Sequence, residues 1–229
     1  MNQNVTILLV EDHPIITEAY QQGIHLFQEN NAELSFEILK AFDCDDALQI
    51  LKECKKTKKS IDLIFLDIKI PASKKNPQIR SGEEIGKNFR KVMPAAKIII
   101  STMITGNFLI YNIIKSLKPD GFLIKTDITH EEIIDAIQMV LLNGEKYYSK
   151  TVTETLLYKA VHDYKIEDLD RHILQELSVG TKTYDIHKFI PLSSSSVNRR
   201  KHKIKRMLGL GEHATDRELI LKAKELGII

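Results

Sequence analysis

The chain alternates short runs of apolar, β-branched residues with stretches whose apolar positions recur every three or four residues. Strand candidates are Thr6–Val10, Ser35–Ala41, Leu63–Leu66, Lys97–Ser101 and Gly121–Ile124. Three of them carry the continuous apolar runs ILLV, LIFL and KIII, the pattern of strands covered on both faces in a parallel sheet. Between them lie helix-like segments. Pro14–Glu29 starts with Pro in its first turn, where the missing N–H costs nothing. Asp45–Lys55 repeats Ala47, Leu48 and Leu51 at helical spacing. Glu83–Val92 and Leu109–Leu117 follow, and Thr129–Leu142 opens with a capping box, Thr129-His-Glu-Glu132. Five strands alternating with five helices predict an α/β domain over residues 1–146, a doubly wound five-stranded parallel sheet.

Beyond Gly144 the pattern is helical only. A linker helix is expected within residues 147–165, over Ser149–Val161, followed by the polar segment His162–Asp168. Residues 166–229 read as a small all-α domain with helices at Asp170–Leu177, Thr183–Phe189, Ser194–Leu208 and Thr215–Leu226. The second and third of these are separated only by Ile190-Pro-Leu-Ser193, and two helices joined so tightly cross steeply, as in a helix-turn-helix. Between Pro71 and Gly82 the run ASKKNPQIRS is polar and aperiodic and predicts an extended, mobile surface loop.

Composition refines this picture little. Of the 229 residues 43% are hydrophobic, enough for two modest cores. The net charge of +2 conceals an asymmetry: residues 160–229 hold 13 Lys or Arg against 10 Asp or Glu, and residues 1–159 hold 20 against 21. A near-neutral front and a basic tail suit a regulatory domain joined to one that binds a polyanion. Cys44 and Cys54 have neither disulfide-framework nor metal spacing and read as reduced structural thiols. The start MNQNVTILLV has no basic flank before a long apolar run, and no apolar stretch approaches membrane-spanning length. The expectation is a cytoplasmic protein without a membrane partner.

Candidate chemistry gathers at the strand ends. Glu11 and Asp12 follow the first strand, Asp67 the third, Thr102 the fourth and Lys125 the fifth. In a doubly wound sheet the ligand site lies outside the carboxyl ends of the strands. Each residue alone reads as a helix cap or a solvated charge; the series at one sheet edge does not. Clustered carboxylates repel unless a cation holds them, and all-oxygen ligands favour Mg²⁺. A hydroxyl and an ammonium beside such a site suit a phosphoryl group.

The motifs ILLVEDHP, LIFLDIKIP, KIIISTM and DGFLIK make residues 5–146 resemble a receiver domain of two-component signalling, of the NarL/LuxR type. The resemblance implies a flavodoxin-like fold with Asp67 as the phosphoacceptor. It implies Mg²⁺ held by Glu11, Asp12, Asp67 and the backbone carbonyl of Lys69. It makes Thr102 and Phe122 the switch pair and puts Lys125 against the phosphoryl group. It further implies a sensor histidine kinase as partner, homodimerisation on phosphorylation, and a regulator rather than an enzyme. The chain departs from the pattern in the long loop after Pro71, and in having Lys69 two residues after Asp67 and Ile104 two after Thr102.

The second constellation is SSSVNRRKHKIKRML, residues 194–208, with six cations and no acid. Val197, Ile204 and Leu208 form a narrow apolar stripe, and Ser195, Arg199, His202 and Arg206 lie opposite, flanked by Asn198 and Lys203. The second helix of a helix-turn-helix enters the major groove, where Arg pairs with guanine and Asn with adenine. The remaining cations, Lys205 among them, are expected on phosphates, and Ser195 and Ser196 on the DNA backbone. This block also resembles the NarL/LuxR-type helix-turn-helix, whose recognition helix it overlays without a gap. The sequence therefore reads as a phosphorylation-dependent regulator of transcription that binds double-stranded DNA. An alternative is a receiver whose basic helices bind RNA or a protein; the absence of aromatics in the basic helix disfavours single-stranded nucleic acid. A phosphohydrolase using the same acids lacks an extra acid or amide to activate water.

Overall fold

The computed structural model describes residues 3–104, 106–161, 166–226 and 228–229. The chain divides into two compact units, one built from residues 1–104 and 113–154, the other from 105–112 and 155–229.

In the first unit the sheet strands are β1 (Gln3–Val10), β2 (Leu34–Ala41), β3 (Leu63–Leu66), β4 (Lys97–Thr102), β5 (Gly121–Ile124) and β6 (Tyr147–Tyr148). The helices of this part of the chain are α1 (Pro14–Glu29), α2 (Cys44–Thr57), α3 (Gly82–Val92), α4 (Asn107–Leu117) and α5 (His130–Ile137), the last continuing as a π-helical turn over Gln138–Leu142. All strand pairs are parallel, in the order β2-β1-β3-β4-β5-β6. The doubly wound sheet is as expected from the sequence, with six strands rather than five. The sixth escapes a pattern reading because it is only two residues long. It exists because Tyr147 N–H donates to the Asp120 carbonyl at 3.0 Å and Ser149 N–H to that of Phe122 at 2.9 Å.

One face of the sheet buries Ile7, Leu9, Leu63, Phe65, Ile99 and Leu123 against Tyr20, Ile24 and Phe27 of α1 and Ile133 and Ile137 of α5. The two helices approach closely at Gly23, where an added Cβ would sit 2.7 Å from the Ile133 side chain. The other face buries Leu8, Val10, Ile64, Leu66, Ile98 and Ile100. Helix ends are set locally. Pro14 opens α1, Asp43 caps α2 through the Asp46 amide, and Thr129 caps α5 through the Glu132 amide.

The segment 72–81 is not the loose loop that its composition suggests. Ser73 N–H donates to the Ile79 carbonyl at 2.9 Å and Ile79 N–H to that of Asn76 at 3.0 Å. Ile79 is buried, and Asp45 of α2 accepts from the Ser73 hydroxyl and the Lys74 amide. One inward isoleucine and one carboxylate acceptor order a run that otherwise has no period.

The linker helix is α6 (Lys150–Val161); residues 162–165, which the sequence assigns to the polar segment after it, lie outside the described residues. The helical unit contains α7 (Asp168–Ser178), α8 (Ser194–Met207) and α9 (Asp216–Glu225) around Ile173, Leu174, Leu177, Ile186, Val197, Ile204, Leu219 and Ala223. The helix expected over Thr183–Phe189 is instead a turn leading into a single 3₁₀ turn, Ile186–Lys188. Its hydrogen bonds are Asp185 N–H to the Lys182 carbonyl and Lys188 N–H to that of Asp185, at 2.8 and 2.9 Å. The Thr183 hydroxyl is drawn aside into a cluster with Lys201 and Asp216, and Pro191 follows within three residues. Too few residues remain for an α-helical segment.

The edge of the sheet opposite the candidate site is fixed by Asp120, which accepts from the Ile98 amide at 2.9 Å and from Arg90 Nη2 at 2.6 Å. Burial pushes this carboxyl up, but the Ile98 amide and the Arg90 guanidinium outweigh it and hold it below the usual range. Asp120→Ala leaves the Ile98 amide without its acceptor and removes the Arg90 ion pair, and should cost about 2 kcal/mol. A depressed folded-state pKa stabilises the fold above the ordinary carboxylate range and is lost as pH falls through it. Urea unfolding should therefore separate the variant from wild type at neutral pH, with the gap narrowing below about pH 4.

Candidate functional site

Strand register determines the first site. Val10 pairs with Leu66 and Leu66 with Ile100, so Glu11 and Asp67 emerge side by side one residue past the paired rows. Lys125 leaves the end of β5, where Ile124 pairs with Thr102. The Lys125 ammonium lies 2.6 Å from Asp67 Oδ2 and donates to Glu11 Oε1 at 2.8 Å. Glu11 Oε2 is 2.7 Å from the same nitrogen but lacks the alignment of a hydrogen bond. All three side chains are almost wholly buried, at 1–3% exposure. The other Asp67 oxygen, Oδ1, accepts the Lys69 amide at 2.9 Å. Lys69 thus reaches the site by its N–H, while its side chain is exposed.

Thr102 is buried beside this cluster, its hydroxyl accepting the Ile104 amide at 3.4 Å. Phe122 is fully buried and pairs with Ile100, two residues before Thr102 on the same face of β4. It lies in the core diagonal to Thr102, outside the polar cluster.

Glu11, Asp12, His13 and Asp67 each offer a ligand atom, and these atoms lie within 4.8 Å of one another. His13 Nδ1 is 3.1 Å from Glu11 Oε1 and 2.8 Å from Asp12 Oδ1. Buried Glu11 Oε2 and Asp12 Oδ1 have no hydrogen-bond donor. Carboxylate-rich donors, two of whose oxygens face a nitrogen without an aligned hydrogen bond, fit a hard divalent cation. His13 did not emerge from the sequence, where it reads only as the residue before Pro14. Its proximity follows from the extended backbone at residue 13, which lets the ring fold back over both acids.

Helix α8 presents the second candidate surface. Ser193 caps it through the Ser196 amide. Ser195, Asn198, Arg199, His202 and Arg206 are exposed, as expected from the helical periodicity. Lys203 is half-buried and paired: its ammonium is 3.0 Å from Glu167, which also binds Arg200 at 3.0 Å. Arg200 reaches buried Asp170 at 2.7 Å. Lys203, Arg200 and their hydrogen bonds hold the Glu167 carboxyl below the usual range. A cleft of 350 Å³ is lined, among the described residues, by Arg199, Arg200, Lys203 and Arg206.

Lys205 is not the phosphate-facing cation that the sequence suggests. It is buried and donates to the Ala214 carbonyl at 2.5 Å. Lys201 is also buried, bound to Thr183 at 2.7 Å and to Asp216 at 2.7 Å. The signal for Lys201 was present, since on a helical wheel it falls about 20° beyond Leu208, at the margin of the apolar stripe. Glu167 and Asp170 were missed because their partners lie about 30 residues away, beyond local pattern.

The sheet, its carboxyl-edge cluster and the helical unit together have the fold of NarL/LuxR-type response regulators. No protein-family model matches the chain. A nitrate/nitrite response regulator protein homolog of Haemophilus influenzae is 24% identical over 214 residues, 92% of this chain and 93% of that protein. RcsB of Salmonella enterica serovar Typhimurium, solved bound to promoter rprA with the phosphomimetic BeF₃⁻, superimposes with a TM-score of 0.62 at 16% identity over 99% of this chain and all of that one. A LuxR-family response regulator from Aurantimonas gives 0.54 at 23% identity, over 69% of this chain and 99% of its own.

The Lys205 finding has a direct check. Lys205→Ala leaves the Ala214 carbonyl without its donor and should destabilise the helical unit by about 1–3 kcal/mol. Arg206→Ala, on the exposed side of the next position, should leave stability within about 0.5 kcal/mol. Thermal unfolding of the full chain distinguishes the two; equal melting temperatures would place Lys205 outside the core.

Proposed function

We propose that this chain is a two-component response regulator that accepts a phosphoryl group on Asp67 and binds double-stranded DNA through α8. The observation carrying this reading is the buried Lys125 ammonium bridging Asp67 and Glu11 where three central strands end. An ordinary salt bridge would gain little from such burial. An ammonium held against a carboxylate at the open end of a sheet is placed to receive a phosphoryl oxygen.

In the proposed reaction an Asp67 carboxylate oxygen attacks the phosphorus of a phosphohistidine on a sensor kinase. The new O–P bond forms as the P–N bond breaks and the histidine imidazole departs. Lys125 exchanges its contact with Asp67 for one with the transferred group. The Lys69 amide steadies Asp67 Oδ1. Mg²⁺ would be held by Glu11, Asp12 and Asp67, joined by the Lys69 carbonyl, and would neutralise charge on the phosphoryl oxygens. The Thr102 hydroxyl then turns toward those oxygens and Phe122 repacks into the space it vacates, altering the surface and favouring a homodimer.

DNA recognition is assigned to Ser195, Asn198, Arg199, His202 and Arg206, with Lys203 joining after release from Glu167. The RcsB relatives were solved as dimers on DNA and with promoter DNA, which supports the same use here. The function is regulatory rather than enzymatic. No helix among the described residues is long and apolar enough to cross a membrane, and the proposed compartment is the cytoplasm.

Incubation with Mg²⁺ and acetyl phosphate should add one phosphoryl group by intact mass, and EDTA should prevent it. Equal incorporation in Asp67→Ala would refute the assignment of the acceptor. Sites selected from a random duplex pool should bind Arg199→Ala more weakly by about 1–3 kcal/mol if Arg199 reads a base. Undiminished binding, or preference for RNA of the same sequence, would remove α8 from the role of recognition helix.

A further inference from the structure

The ordered segment 72–81 forms a wall beside α2. The Ser73 hydroxyl donates to Asp45 Oδ1 at 2.5 Å and the Lys74 amide to Oδ2 at 2.9 Å. Ser73 Oγ in turn accepts the Lys75 and Asn76 amides at 3.2 and 2.8 Å. The start of the wall is therefore tied to one carboxylate, on the second residue of α2. Between this wall, α2 and the last residue of α3 runs a groove of 570 Å³.

The groove has a distinct chemical pattern. Its floor is Leu48 and Leu51 of α2 with Val92 of α3, and its rim carries Lys52, Lys55 and Lys75. Along α2 it extends from Asp45 to Lys55, about 15 Å or nearly three helical turns. Among the described residues Asp45 is the lining carboxylate; the Ser73 hydroxyl, with Lys75 nearby, holds it below its ordinary range, and the three lysines outnumber it. Lys52 and Lys55 are exposed and form no ion pair among the described residues. The surface thus combines a desolvatable apolar strip with a net excess of positive charge, carried by Lys52 and Lys55.

An open groove of this length does not enclose a small molecule, since small-ligand sites cover most of the ligand's surface. A duplex would meet the lysines but has no apolar stripe for the floor. A helix with apolar residues at i, i+3 and i+4 and carboxylates on its flanks satisfies both features. We propose that the α2–loop groove is a docking site for an acidic amphipathic helix of a partner protein. The helix rests its apolar face on Leu48, Leu51 and Val92 and sets its carboxylates against Lys52, Lys55 and Lys75.

The test is selection of displayed random 12-residue peptides on the immobilised full chain, followed by fluorescence anisotropy with the synthetic winners. Enriched peptides should carry Asp or Glu beside apolar residues at helical spacing. Their affinity should fall about tenfold or more on Lys52→Glu/Lys55→Glu, a surface change that leaves folding intact, and on Leu48→Asp. Ser73→Ala, which releases the wall, should weaken binding without changing charge. Failure to enrich, enrichment without acids, or affinity indifferent to the lysine pair would overturn the proposal. So would displacement of the peptide by dodecanoate or duplex DNA at lower concentration than the peptide itself, which would give the groove to an anionic lipid or to nucleic acid.

Discussion

Two carboxylates cannot stay ionised side by side in a crevice closed to water unless positive charge is brought to them. Here Glu11 and Asp67 are buried at the ends of adjacent strands, and the compensating charge comes from β5, which β3 and β4 separate from β1 in the sheet. That requirement governs the sheet. Moving β5 by one residue against β4 would carry Lys125 out of reach and turn Phe122 and Ile124 to the opposite face. The long apolar runs of the central strands hold the register, and the register holds the charge. Because burying an ion triad is costly even when it is paired, this arrangement is better understood as a retained capacity to bind than as a contribution to stability.

Next to the cluster, a polar link ties the end of β4 to α1. The Tyr20 hydroxyl donates to Ser101 Oγ at 2.5 Å, and its ring stacks on Phe65 at a centroid distance of 4.9 Å. Burial pushes the Tyr20 hydroxyl far above its ordinary range, and the Ser101 bond offsets only part of this. Ser101 immediately precedes Thr102. A movement of the β4 end therefore meets a neutral hydrogen bond anchored on α1.

Much of this was legible in the chain. Continuous apolar runs declared the parallel sheet, and five residues at four strand ends located the cluster, because both depend on neighbours close in sequence. What was hidden depends on distance. Tyr147 and Tyr148 become a strand only through β5, and Thr183 leaves its helix only because Lys201 and Asp216 attract its hydroxyl. The segment 72–81 looked formless because its order comes from Asp45, nearly 30 residues earlier. Lys205 looked free because charge is taken to mean solvent, and nothing local announces a carbonyl waiting at Ala214.

The inward turn of Lys201 and Lys205 changes what α8 can exchange with a polyanion. Binding to a duplex releases condensed counterions roughly in proportion to the phosphates neutralised, with a logarithmic slope of about −0.9 per contact. Of the six cations on this helix two are committed to the protein interior, and Arg200 and Lys203 must first leave Glu167 and Asp170. Only Arg199 and Arg206 stand ready without rearrangement. A helix that looks like a polycation in sequence thus offers nearly the charge of a divalent one, and a duplex bound through these two cations alone would be held with a correspondingly shallow dependence on salt.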